Sequence, residues 1–89
     1  MQVIPLEQRP HFRFRTNLGG ESYRFRFNWL TRYEYFTVDI ERGDELIARG
    51  RALHPGINLF DGLDSGELVL EGAAPTPRNL GINNRLVYR

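Results

Sequence analysis

A chain of 89 residues makes one domain, and one of this size hides only about 60–65% of the surface that its unfolded form exposes. Its net charge of +1 argues against bulk attraction to nucleic acid or a membrane surface, and the absence of cysteine excludes a disulfide or thiolate–metal framework. No apolar run approaches the roughly 20 residues that span a bilayer as a helix.

The opening Met1-Gln2-Val3-Ile4-Pro5 lacks the basic start and long apolar stretch of a signal peptide, so synthesis in the cytoplasm is expected. Val3 to Leu6 is expected at a sheet edge, because Pro5 has no N–H to give to a ladder. From His11 to Leu18, Phe12, Phe14, Thr16 and Leu18 alternate with Arg13, Arg15 and Asn17. Period two sends one set inward and the other outward. Gly19-Gly20 supplies a tight hairpin turn. The return strand, Glu21 to Trp29, alternates Tyr23, Phe25, Phe27 and Trp29 with Arg24, Arg26 and Asn28.

Centring the turn on the two glycines sets Phe14 opposite Phe25 and Phe12 opposite Phe27. The same register sets Arg15 opposite Arg24 and Arg13 opposite Arg26, an unfavourable meeting of like charges. A third strand, Tyr35 to Glu41, compensates in part. Paired antiparallel, it matches Trp29 with Phe36, Phe27 with Val38 and Phe25 with Ile40, and outside it sets Arg26 by Asp39 and Arg24 by Glu41. Arg24 and Arg26 are thus expected to be partly paired within the domain. Arg13 and Arg15 have no acidic neighbour across a strand and are expected to contact another chain. The four arginines together form the predicted partner-binding face.

Arg42-Gly43-Asp44 predicts a second hairpin turn. Glu45 to Leu53 follows as a strand with Leu46 and Ala48 inward and a bend at Gly50. His54 to Ser65 is irregular and rich in turn formers. Leu68-Val69-Leu70 is a short strand, Pro75-Thr76-Pro77 a stiff surface loop, and Leu86-Val87-Tyr88 a last strand. No stretch has helical periodicity. The expectation is a single all-β domain over residues 1–89, an antiparallel barrel or sandwich of about six strands, with an OB-like barrel as one form.

All twelve basic residues are arginine. A GC-rich genome gives that bias, and so does interface use, since arginine makes planar bidentate bonds and is enriched where proteins meet. Catalytic patterns are wanting. His11 and His54 have no metal-ligand spacing, Ser22 and Ser65 have no evident base, and Asp61, Asp64 and Glu67 are too widely spaced for a calcium loop. Gly19-Gly20 lacks the residues that complete a phosphate loop. Neither an enzyme nor a metal or cofactor site is expected. Single-stranded nucleic-acid binding is the competing function, because Phe12-Arg13-Phe14-Arg15 and Tyr23-Arg24-Phe25-Arg26-Phe27 mix bases with aromatics. Strict alternation, however, puts the rings on the face away from the arginines.

Taken together, Val3-Ile4-Pro5-Leu6, the Phe12–Trp29 hairpin, Phe36-Thr37-Val38-Asp39-Ile40, Ala48-Arg49-Gly50 through Leu53, Gly66-Glu67-Leu68, the Pro75–Pro77 region, Leu80-Gly81 and Leu86-Val87-Tyr88 give a sequence that resembles the phage baseplate plug family, named from a cyanophage tail. It departs from the family's pattern at Glu71-Gly72, where an aspartate leading into the proline loop is expected. The resemblance implies a non-enzymatic virion component of a contractile tail, in the baseplate where the tail tube meets the hub and spike. It implies several copies around the tail axis, tail and baseplate proteins as partners, and no small-molecule substrate or membrane.

Overall fold

The computed structural model describes residues 1–89. Seven strands form: β1 (Gln2–Ile4), β2 (His11–Leu18), β3 (Glu21–Leu30), β4 (Tyr35–Arg42), β5 (Glu45–Leu53), β6 (Leu68–Gly72) and β7 (Asn84–Tyr88). They make two antiparallel sheets, a meander in the order β2-β3-β4-β5 and a smaller sheet in the order β1-β7-β6. The expected registers hold across β2, β3 and β4, from Phe12 opposite Phe27 to Arg24 opposite Glu41.

The inner faces of the sheets share one core. Phe12, Tyr23, Phe25, Phe27, Phe36, Val38 and Ile40 come from the meander, and Ile4, Leu68, Leu70 and Leu86 from the smaller sheet. Leu59, Phe60 and Leu80 enter from the connecting loops. Phe25 and Phe27 are fully buried, while Phe14 and Trp29 are only partly covered and lean on the core from its margin. Burying such side chains contributes about 1.5–3 kcal/mol each.

The architecture is a sandwich rather than a closed barrel, which corrects the OB-like expectation, and it has seven strands rather than six. The two sheets share no paired strand. On one side, β1 stops after three residues at Pro5, which has no N–H to extend a ladder toward β2. Gln2 crosses that seam with a single side-chain bond to the Asn17 carbonyl, at 3.3 Å. On the other side, only isolated bridges, Pro55 with Leu70 and Asn58 with Val69, join the loop after β5 to β6.

That loop is irregular but held. The Asn58 Oδ1 accepts the backbone N–H groups of Phe60 and Leu68, each at 2.9 Å. Arg51 donates to the carbonyls of Leu59 and Asp61, and the Tyr88 hydroxyl donates to the Ser65 carbonyl. The Pro75–Pro77 stretch is less superficial than expected, because Pro75 is buried. Thr76 and Asn79 bond each other's backbone N–H there, and the buried Asn84 side chain accepts from Gly81 and donates to Ala73 and Asn79.

β5 carries the largest departure from simple alternation. Glu41 pairs with Leu46 but Ile40 pairs with Ala48, which leaves Ile47 as an extra residue; a second shift lies between Ile40 and Val38. These are β-bulges. The first turns Ile47 and Ala48 together toward the core and leaves Leu46, expected inside, 44% exposed on the outer face.

Candidate functional site

The outer face of the meander is built by alternation. Because Phe12, Phe25 and Phe27 must face the core, Arg13, Arg15, Arg24 and Arg26 must face out. Arg13 lies directly opposite Arg26, and Arg15 opposite Arg24. Such like-charge pairs cost roughly 0.2–1 kcal/mol apiece against neutral ones. Nothing in the packing of the domain requires that cost.

Only one of the four is neutralised. Arg24 meets Glu41 at 3.6 Å, an exposed pair that contributes about 0–1 kcal/mol. Arg26 was expected to share Asp39, its cross-strand neighbour, but the carboxylate is engaged elsewhere: Asp39 accepts the Gly50 backbone N–H at 2.7 Å. Gly50 sits at φ +70°, in the left-handed region open to glycine, within the second bulge of β5. The bulge therefore draws Asp39 away from Arg26 and brings a further arginine, Arg49, onto the same face. Period-two counting along β5 did not single out Arg49, and only the Gly50 bend hinted at the irregularity that places it.

Arg13, Arg24, Arg26 and Arg49 surround a depression of about 290 Å³, with Asp39, Glu41 and the exposed Leu46 completing its wall. A second hollow, of about 410 Å³, shares Arg13 and Arg26 and extends the basic surface to Arg9 and His11. Arg15 is set apart from these. It borders a different, more apolar hollow with Ile4, Leu6 and Phe14 at the open seam between β1 and β2. The structure thus brings Arg13, Arg24 and Arg26 together and leaves Arg15 at the margin.

Elsewhere most arginines have internal partners. Arg85 pairs with Glu71, and Arg89 with Glu67 and Glu71, across the outer face of the smaller sheet. The Glu67 hydrogen bond, followed by its charge, lifts Arg89 above the ordinary guanidinium range. Glu71, the departure noted in the sequence, thus holds two cations. Arg42 meets Glu21 and the Ser65 hydroxyl, and Arg9 meets Glu7. By contrast Arg13, Arg15, Arg26 and Arg49 have neither an ion pair nor a hydrogen bond, a state that Arg32 and Arg78 share in loops off this face. Free guanidinium groups offer planar, paired donors suited to carboxylates and phosphates.

The other candidates do not converge. No group of three or more His, Asp or Glu side chains gathers in a way that could hold a metal ion. His54 lies against Tyr35, and the Ser65 hydroxyl is taken up by Arg42 and the Leu63 carbonyl. The aromatics needed for base stacking are mostly buried, and the exposed Tyr33 sits in the β3–β4 turn away from the arginine depression. The depression is therefore lined by charged groups and one leucine, with no aromatic ring in its wall.

Comparison with curated proteins gives no match. A family profile described as cyanophage baseplate Pam3 plug gp18 matches residues 1–89, every position of the two sheets and the loops between them. On that full-length match the chain belongs to the cyanophage baseplate plug family, whose members are structural proteins of the phage tail.

Proposed function

We propose that this chain is an adaptor of the tail baseplate, packing between the tail tube and the hub and spike through protein–protein contacts and present in several copies around the tail axis. The observation that supports this reading best is the concentration of unpartnered arginines on one sheet face. Within the domain, Arg13 faces Arg26 and Arg15 faces Arg24, and acidic groups of another chain would relieve these like-charge contacts. Family membership supplies the setting, a structural role in the phage baseplate. The contact residues are Arg13 and Arg15, with Arg26 added because Asp39 does not neutralise it. No bond is made or broken in this role.

The test is binding of the purified chain to tail tube and hub proteins, with the Arg13→Glu, Arg15→Glu double variant alongside. Reversing the two charges is expected to abolish binding while the far-ultraviolet dichroism stays that of the parent. A chain that ignores the tail proteins but binds single-stranded oligonucleotide, more weakly as salt rises, would replace the adaptor by a nucleic-acid module.

A further inference from the structure

The turn between β4 and β5 carries Gly43 and Asp44 at its tip, with Arg42 and Glu45 paired beneath them. Asp44 and Glu45 are exposed, and neither makes an ion pair or a side-chain hydrogen bond. Asp64 and Glu21 stand at the same end of the sandwich. Both line a hollow with Arg42, and the Gly43 N–H donates to the Ser22 carbonyl at 3.0 Å. Arg42, a cation of this end, is already occupied by Glu21 at 3.5 Å and by the Ser65 hydroxyl at 2.9 Å. The end is acidic, and the adjoining outer face of the meander is basic. Each surface keeps an excess of the charge that the other needs, because the internal pairs Arg24–Glu41 and Arg42–Glu21 leave Arg13, Arg26 and Arg49 on one and Asp44, Glu45 and Asp64 on the other without an ion pair.

We infer that the arginine depression of β2 to β5 receives the acidic β4–β5 turn of a second copy of this chain. The inference rests on the reading of that face as the contact surface and names what it contacts. A two-residue turn is narrow enough to present Asp44 and Glu45 to Arg13, Arg26 and Arg49 without a clash of whole loops. The two surfaces are different patches, so the contact is heterologous: it repeats in one direction and closes into a ring when the rotation permits. A two-fold pairing through the basic face alone would set arginine against arginine.

The experiment is sedimentation velocity on the whole chain over a range of concentrations, at low and at physiological ionic strength. Association that grows with concentration and weakens with salt is expected. Two variants follow, Arg13→Glu with Arg26→Glu and Arg49→Glu, and Asp44→Arg with Glu45→Arg. Each alone is expected to lose association by roughly 100-fold. Mixed in equal amounts they are expected to recover it, because the untouched acidic turn of the first variant meets the untouched basic face of the second, and the reversed face meets the reversed turn. Recovery also shows that both variants are folded. Three results overturn the inference: a parent chain that stays monomeric in both salts, association that neither variant weakens, or a mixture of dichroism-verified folded variants that stays monomeric. A monomeric chain that still captures a tail protein removes the self-contact and leaves the adaptor standing. A chain that self-associates but ignores tail proteins does the opposite.

Discussion

Replacing Asn58 by alanine removes one oxygen and strands two amides. The Oδ1 holds the N–H groups of Phe60 and Leu68, both at 2.9 Å, and those residues are 1% and 0% exposed. A lost neutral hydrogen bond costs about 0.5–1.5 kcal/mol net, and a donor left buried without a partner costs about 1–3 kcal/mol. Asn58 itself is half-buried, so water reaches part of the gap, and the two losses together are expected to come to roughly 2–4 kcal/mol. A chain of 89 residues has about 4–13 kcal/mol of stability to lose. The midpoint of thermal unfolding is then expected to fall by roughly 10–25 °C. Asn58→Asp is the control. It keeps the accepting oxygen, and the Asn58 amide nitrogen has no protein partner to lose, so its cost is expected to stay below about 1 kcal/mol. Urea unfolding followed by circular dichroism measures both, provided the slope m is shared. The reasoning fails if the alanine variant stays within about 0.5 kcal/mol of the parent, or if aspartate is as damaging as alanine.

Phe25→Ala, at a fully buried position ringed by Phe14, Tyr23 and Phe60, is expected to cost about 3–5 kcal/mol, and a variant that melts with the parent would remove Phe25 from the core. Gly72→Ala is expected to loosen the start of the β6–β7 connection. Its Cβ would lie 2.5 Å from the Asn83 carbonyl oxygen and 2.9 Å from the Asn84 Cα, at a φ of +108°. Hydrogen exchange at Ala73, whose N–H donates to Asn83 at 3.0 Å, should accelerate, and unchanged protection there would show that the backbone absorbs the methyl group without opening.

The meander from β2 to β4 was legible because three signals agreed. Alternation separated phenylalanine from arginine, Gly19-Gly20 located the turn, and one register set Phe12, Phe14, Phe25, Phe27 and Trp29 of the inner face each opposite an apolar partner. β5 broke the counting rule. Stepping back by two from Ala48 turns Leu46 inward, whereas the extra Ile47 breaks that count and Leu46, opposite Glu41, faces out. Period-two patterning is blind to an inserted residue until the partner strand is known. For the same reason Arg49 and the loss of Asp39 to Gly50 went unread, although both shape the candidate site. The smaller sheet was legible as short apolar runs but not as an arrangement. Its order, β1-β7-β6, joins segments far apart in sequence, and nothing in three residues of β1 names its neighbour. The buried Pro75 and the Asn79–Asn84 bonding were hidden behind the usual link between proline and surface turns.

The pairing of β1 with β7 also sets an order of events for the folding chain. Val3 lies beside Val87, so this contact closes nearly the entire sequence into a loop, at an entropic cost on the order of 4 kcal/mol from length alone. The hairpins of the meander close over two-residue and four-residue turns and face almost none of that cost. The meander is therefore expected to form first and β1 to dock last. Pulse-labelling that protects β1 amides before those of β3 would reverse this sequence. In this order the arginine surface, which belongs wholly to the meander, exists before the domain has closed. A folding chain would then present this arginine surface while β1 is still undocked, so that a neighbour meeting that surface could arrive before the domain has completed itself.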